Sequence, residues 1–112
     1  AALAAYRMSL VALIREGETS LAALAGALQM SPRSLQRRLA EQGLSFQALL
    51  DQTRQHLADA YLRDARLELA EIALLLGYSE QSAFTRAFRQ WTGLAPAQWR
   101  KQQHPLKKPF AP

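Results

Sequence analysis

The chain of 112 residues contains the same helical pattern twice. The segment Leu24–Ser31 aligns with Ile72–Ser79 at an offset of 48 residues. Further along, Leu35–Leu39 matches the second copy at an offset of 49 residues, and Gly43–Ser45 matches it at 50. This drift predicts single-residue insertions in the second copy, one of them in the first turn of its second helix. The repeat therefore predicts two units with the same local structure.

The pattern of each copy predicts a short helix, a tight turn and a longer helix, followed by Gly-Leu. A small residue in the first helix, Ala25 or Ala73, lets two helices cross closely. An apolar residue in the turn, Met30 or Tyr78, fills the angle between them. This is the pattern of a helix-turn-helix. One such hairpin would be weak evidence because short helical hairpins are common, but two copies at a fixed spacing make the prediction strong.

The composition favours helices throughout the chain. Ala, Leu, Gln, Arg and Glu dominate and β-branched residues are few, so we expect an all-α fold. Seven helices are predicted, at about residues 3–15, 21–28, 31–42, 46–62, 68–76, 80–91 and 96–101. The predicted N-caps are Thr19 or Ser20, Ser31, Ser45 and Ser79, and the predicted stops are Gly17, Gly43, Gly77 and Gly93.

Composition and charge exclude several classes of protein. The chain has no cysteine, which excludes disulfides and thiolate chemistry. Its two histidines, His56 and His104, are too few for a histidine-based metal site unless carboxylates complete it. No apolar run reaches about 18 residues, so no membrane span is predicted. The net charge of +5 and the pI near 10.2 favour a polyanionic partner, most often nucleic acid.

The helical wheel separates a buried face from a polar face on the second helix of each copy. On a helical wheel drawn with about 100° per residue, Leu35 and Leu39 share one side, which we take as buried. Arg33, Gln36 and Arg37 lie on the opposite side. With Phe84, Phe88 and Trp91 buried in the other copy, the opposite side carries Ser82, Thr85, Arg86 and Arg89. Arginine, glutamine and hydroxyl side chains are the ones that read base edges in DNA, whereas an ordinary solvated face alternates Glu and Lys.

The second copy resembles a known family signature. The stretch LAEIA (69–73), GYSEQSAFTRAFRQWTG (77–93) and PAQWR (96–100) is similar to the signature of the AraC/XylS family of bacterial transcription regulators. Residues 31–39 and 43–46 match the first half of the same domain, so the resemblance covers about residues 5–101. Three positions depart from the family pattern: Gln29 stands where glycine is common, Ala83 offers only a methyl group, and Trp99 replaces the usual tyrosine.

The resemblance implies an organisation for the whole chain. Two helix-turn-helix subdomains, at about 20–42 and 68–92, are joined by a long linker helix at about 46–62 within a DNA-binding domain of residues 1–102. The remaining residues, 103–112, are expected to be a flexible basic tail containing Lys107 and Lys108. Family members commonly carry an upstream effector or dimerisation domain, so we expect this chain to be the C-terminal part of a longer regulator.

The resemblance also implies a monomeric domain that reads two successive major-groove segments of double-stranded DNA. The implied base-reading residues are Arg33, Gln36, Arg37, Gln81, Ser82, Ala83 and Arg86. The residues expected to bind phosphates are Ser31, Arg38, Ser79, Thr85, Arg89, Arg100 and Lys101. For Arg38 and Arg89 a surface ion pair is the alternative, and for the two serines helix capping comes first, although a capped helix end also presents N–H groups to a phosphate.

The linker helix agrees with this reading. A helix of about 17 residues is about 25 Å long, and with the width of a subdomain added it can hold two recognition helices about 34 Å apart, one turn of B-DNA. If the subdomains are held at slightly less than that distance, the DNA must bend at a cost of about 1–6 kcal/mol. If they can swivel, one subdomain engages fully and the other contacts only phosphates.

Two other classes of function were weighed against DNA binding. A helical protein-interaction module of the transcription machinery predicts an exposed apolar groove, and no spare apolar stripe is evident once the core is assigned. A small enzyme would need a nucleophile–base pair, a metal site or a glycine-rich phosphate loop, and none is evident. The resemblance implies a cytoplasmic transcription activator that contacts RNA polymerase, and we expect no cofactor, no metal, no catalytic residue and no membrane partner.

Overall fold

A computed structural model describes residues 2–103 of the chain. This part folds into seven α-helices and contains no strand, which confirms the predicted fold class. The helices are α1 (Ala2–Glu16), α2 (Leu21–Ala27), α3 (Pro32–Glu41), α4 (Phe46–Leu62), α5 (Leu69–Leu75), α6 (Gln81–Thr92) and α7 (Pro96–Gln103). Most of the predicted basic tail, including His104, Lys107 and Lys108, lies outside the described residues.

The chain divides into two compact units, Ala1–Arg54 and Gln55–Pro112. In the first unit α1 packs on α2 and α2 packs on α3. Its core consists of side chains that are almost fully buried, namely Tyr6, Leu10, Ile14, Leu24, Ala25, Leu35, Leu39, Leu49 and Leu50. The boundary between the units falls inside α4, whose 17 residues form one continuous helix with the predicted bounds.

The second unit is built around aromatic side chains. In it α5 packs on α6 and α6 on α7, and the buried core consists of Ala58, Leu62, Ile72, Ala73, Leu76, Phe84 and Phe88. The Phe88 ring is the centre of three edge-on contacts, with centroid distances of 5.7 Å to Phe84, 6.1 Å to Trp91 and 5.9 Å to Trp99. These rings are core side chains, as the sequence predicts, and Trp99 joins them at the position of the usual tyrosine.

The last helix is attached to the end of α4 through Arg100. Its Nε donates a hydrogen bond to the Leu62 carbonyl at 3.0 Å, and its Nη2 donates to the Asp64 carbonyl at 3.3 Å. The Arg63 guanidinium lies 5.8 Å from the centre of the Trp99 ring and 3.3 Å from Asp59 Oδ1. Arg100 therefore has a structural role, because its side chain joins α7 to the backbone at the end of α4 and just after it.

One predicted cap is wrong. Ser79 is predicted to cap α6, but the N-cap residue is Glu80, with φ −143° and ψ 150°, and the helix begins at Gln81. The extra residue of the second copy therefore lies in the turn and lengthens it, whereas the sequence comparison predicts an insertion in the first turn of the helix. The other tested caps are confirmed: Ser20, Ser31 and Ser45 each accept a hydrogen bond from the backbone N–H three residues ahead.

Candidate nucleic-acid interface

The first helix of each helix-turn-helix ends with the same pair of backbone hydrogen bonds. In the first copy Met30 N donates to the Ala25 carbonyl at 3.0 Å, and in the second copy Tyr78 N donates to the Ala73 carbonyl at the same distance. Gln29 N donates to the Gly26 carbonyl at 3.1 Å, and Gly77 N donates to the Leu74 carbonyl at 3.0 Å. This pair of bonds is the Schellman motif, which ends a helix on a residue in the left-handed region. The predicted repeat is thus a repeat of backbone structure.

Residue Gln29 occupies that left-handed position in the first copy. Its φ is 58°, and it is the one residue other than glycine with a positive φ in the described part of the chain. Gly77, its counterpart 48 residues later, has a φ of 91°. The departure from the family pattern at this position therefore leaves the turn in the same form and strains the backbone of Gln29, since a side chain is disfavoured there.

The recognition helix of the first copy, α3, has one buried face and one exposed face. Ser31 caps its start, Pro32 occupies the first helical position, and Leu35 and Leu39 are fully buried. All three predicted base-reading residues of this helix are exposed, namely Arg33, Gln36 and Arg37. The helical wheel is confirmed here because α3 contributes only its leucine stripe to the core.

The recognition helix of the second copy, α6, repeats this arrangement. Phe84 and Phe88 are buried, at 0% and 1% exposure, while Gln81, Ser82 and Arg86 are exposed. Ala83 and Thr85 are half-buried. Counted from the N-cap, the two helices are offset by 49 residues, so Ser82 stands where Arg33 does, Thr85 corresponds to Gln36 and Arg86 to Arg37.

The arginines on these two faces are free of internal partners. The ion pairs Arg63–Asp59 and Arg66–Asp64 both involve residues outside the two recognition helices. Arg33, Arg37 and Arg86 make no hydrogen bond or ion pair with another described residue. Exposed guanidinium groups with all their donors available can bind bases or phosphates without first breaking a contact in the protein.

Asp64, between α4 and α5, forms an ion pair with Arg66. Its carboxylate accepts hydrogen bonds from the backbone N–H and the side chain of Arg66, at 3.0 Å each. The side-chain hydrogen bond from Arg66 and then the backbone bond hold the pKa of Asp64 below its usual value. This pair lies between α4 and α5 and includes no residue of α3 or α6.

The predicted phosphate-binding residues fall into three groups. Arg38, Arg89 and Lys101 are exposed. The Ser31 hydroxyl accepts from Ser34 N and donates to Ser34 Oγ, so it is occupied in capping α3. Ser79 is exposed, Thr85 is half-buried and Arg100 is bonded to α4. The phosphate role of all seven residues stays a prediction, and the internal hydrogen bonds of Arg100 weigh against it.

Two surface features escaped the sequence analysis. A cleft of about 340 Å³ beside α3 is lined by Arg37 and Arg38 and by Ala2, Tyr6, Glu41 and Gln42. On α5, Leu74 and Leu75 are 64% and 37% exposed, where the first copy has Gly26 and Ala27. A helical wheel drawn for one helix at a time shows neither feature, because it contains no information on which neighbouring elements cover that helix.

The structure describes no other obvious site. In residues 2–103 no group of three His, Cys, Asp and Glu side chains could hold a metal ion. None of the described helices is long and apolar enough to cross a membrane.

Comparison with known proteins assigns this architecture to a family. Residues 24–102 match the family profile of a helix-turn-helix domain. The HTH-type transcriptional regulator VirS of Mycobacterium tuberculosis is 48% identical over 88 residues, which cover 79% of this chain and 26% of VirS. The chain belongs to the AraC/XylS family. It is a helix-turn-helix DNA-binding domain of the kind found in AraC-type transcriptional regulators.

Solved structures agree with the assignment to the AraC/XylS family. The C-terminal domain of AraT, a response regulator from Geobacillus stearothermophilus, matches 89% of this chain and 84% of its own with a TM-score of 0.77 and 31% identity. The DNA-binding domain of AdpA, a global transcriptional factor solved in complex with a target DNA, shares the fold with a TM-score of 0.75, at 24% identity and 97% coverage of both chains. The chain spans about a quarter of the length of the curated relatives it matches, 26% for VirS and 28% for the ornithine utilization regulator of Pseudomonas aeruginosa.

Proposed function

We propose that this AraC-type domain binds double-stranded DNA sequence-specifically, with α3 and α6 each entering one of two successive major-groove segments. The observation that carries the proposal is the repetition of one exposed, arginine-bearing face on equivalent helices of the two copies. Arg37 and Arg86 occupy the same position in their helices and have no described partner. A bidentate guanidinium contact to guanine is the commonest specific contact in the major groove.

Base reading and phosphate binding have separate roles in this proposal. Arg33, Gln36, Arg37, Gln81, Ser82, Ala83 and Arg86 are the proposed base-reading set. Phosphate contacts supply most of the affinity and its salt dependence, and we assign them first to Arg38, Arg89 and Lys101, which are exposed. The helix starts at Ser31 and Ser79, the Thr85 hydroxyl and the remaining donors of Arg100 are secondary candidates.

For the whole regulator we propose activation of bacterial transcription in the cytoplasm through contact with RNA polymerase. An upstream effector-binding or dimerisation domain is part of this proposal, because the matched relatives are about four times as long as the matched region. The bipartite DNA site and the polymerase contact are separable: the first belongs to this domain and the second requires the complete regulator at a promoter.

A salt titration of DNA binding tests the proposal for the domain. Fluorescence anisotropy with a duplex selected by the protein and with a scrambled duplex should give a specific affinity at least about a thousandfold tighter than the non-specific one. The logarithm of each association constant should fall linearly with the logarithm of the salt concentration, with a slope of about −0.9 for each phosphate contacted. Equal affinity for the two duplexes would contradict sequence-specific binding, and no binding to either would instead support a protein-interaction module.

A further inference from the structure

The start of α6 carries a hydrogen bond that the proposed base-reading set does not explain. Glu80 is the N-cap residue, but its side chain makes no capping bond to the helix. Instead, its Oε1 accepts a hydrogen bond from the Ser82 hydroxyl at 3.1 Å. Both residues are exposed, and Ser82 lies on the face that α6 offers to the major groove.

This bond fixes the hydrogen-bonding character of the pair. A serine hydroxyl has one proton to donate, and an ionised carboxylate has none. Because Ser82 donates its proton to Glu80, the pair presents to the solvent only acceptors: the lone pairs of Ser82 Oγ and the second carboxylate oxygen of Glu80. A base edge that meets this pair must therefore provide the donor.

The corresponding place in the first copy has the opposite character. There the N-cap Ser31 uses its hydroxyl to cap the helix, and the residue two positions later is Arg33, which has only donors. The two copies share the hydrogen bonds that end their first helices and the buried stripes of their second helices. They differ at the start of the second helix, where the second copy has one residue more and a different pair of polar side chains. Such a contrast is expected where two copies of one fold read different bases.

We propose that Glu80 and Ser82 together form an acceptor pair that selects cytosine at one position of the second major-groove segment. Cytosine presents its N4 amino group as a donor in the major groove. Adenine offers an N6 amino group beside the N7 acceptor, so it is a poorer match for two acceptors, while guanine and thymine present acceptors and no donor. The predicted order is cytosine, then adenine, then guanine and thymine.

The inference rests on the proposed function, because it requires α6 to enter the major groove. Glu80 adds a negative charge at a surface that must approach phosphates, and in a chain of net charge +5 this lowers affinity for DNA in general. The carboxylate is compatible with tight binding only where a base donor satisfies it. Glu80 is thus a specificity-determining residue that acts chiefly by excluding the wrong bases.

Selection of duplexes from a random pool, with the full chain and its variants, tests the inference. Wild-type protein should select cytosine at one position within the segment read by α6. Glu80→Gln should reduce the preference for cytosine over guanine or thymine there by about tenfold, because the amide can donate to their acceptors. Ser82→Ala should weaken the same preference, and bases selected elsewhere should stay unchanged in both variants.

Glu18→Gln is the matched control, because it makes the same charge change at an exposed residue outside the recognition helices. It should leave every base preference as it is. If Glu80→Gln selects the wild-type sequence and merely binds all duplexes more tightly, Glu80 acts as a general repulsive charge and the inference fails while the proposed function stands. If the wild-type protein selects no sequence, the proposed function fails and the inference with it. Circular dichroism melting curves establish that each variant is folded.

Discussion

At the scale of single residues, Gln29 is the residue whose backbone conformation is least favourable for its side chain. A residue other than glycine in the left-handed region costs about 1–2 kcal/mol, and glycine loses about 0.5–1 kcal/mol more backbone entropy on folding. The first effect exceeds the second, so we expect Gln29→Gly to stabilise the chain by about 0.5–1 kcal/mol. Urea denaturation measures the change.

The counterpart in the second copy is the control for this prediction. Gly77→Gln places a side chain at a φ of 91° and should destabilise the chain by about 1 kcal/mol or more. If Gln29→Gly is neutral or destabilising while Gly77→Gln behaves as expected, then the Gln29 side chain makes a compensating contribution in the turn.

Arg37 and Arg86 are the residues on which specificity is expected to depend most. Replacing either by alanine should reduce the affinity for the selected site by about 1–3 kcal/mol and should relax the preference at one base pair. Arg38→Ala is a matched control on the same helix as Arg37, because loss of a phosphate contact weakens binding to all sequences about equally. Competition assays with single-base variants of the site measure both effects.

The opposite pattern would contradict this assignment. If Arg37→Ala or Arg86→Ala lowers the affinity for every duplex by the same factor, these residues bind phosphates. In that case base reading must come from the other polar residues of the two helices.

At the scale of helices, Ser31 and Ser79 test how the two recognition helices begin. Ser31 caps α3 through a 3.1 Å hydrogen bond from Ser34 N, so Ser31→Ala should cost about 1 kcal/mol of stability. Ser79 is outside α6 and makes no capping bond to it, so Ser79→Ala should change stability by less than about 0.5 kcal/mol. Equal losses in the two variants would show that Ser79 does cap α6.

The helices themselves could be predicted from the sequence for identifiable reasons. Glycines at positions 17, 43, 77 and 93 follow the ends of four helices, each with a positive φ, and Ser20, Ser31 and Ser45 cap the starts of three helices. The buried stripes of α3 and α6 could be predicted as well, because strong leucine or phenylalanine periodicity leaves one face for the core.

The features that could not be predicted are of two kinds. Some depend on contacts between residues distant in sequence, and others depend on which of two adjacent polar residues precedes the helix. Ser79 is a preferred N-cap residue and Glu80 is not, but α6 begins one residue later than Ser79 predicts because the turn of the second copy is longer. The bond from Arg100 to Leu62 joins residues 38 positions apart, and no local pattern signals it. The bond between Ser82 and Glu80 depends on where α6 begins, so it could not be foreseen with the helix start misplaced.

At the scale of the whole molecule, the central claim is that two copies of one structural unit act on one DNA molecule. The continuous α4 helix connects them, and its 17 residues correspond to about 25 Å. A rigid linkage makes the spacing between the two recognised segments a fixed property of the site, and a swivelling linkage would let that spacing vary or leave one segment unread.

The spacing between preferred base blocks in duplexes selected from a random pool is the most direct measurement of this claim. Two conserved blocks with centres about 10–10.5 base pairs apart are expected, the first altered by Arg37→Ala and the second by Arg86→Ala. A single block that responds to both substitutions, or two blocks at no constant spacing, would contradict the account.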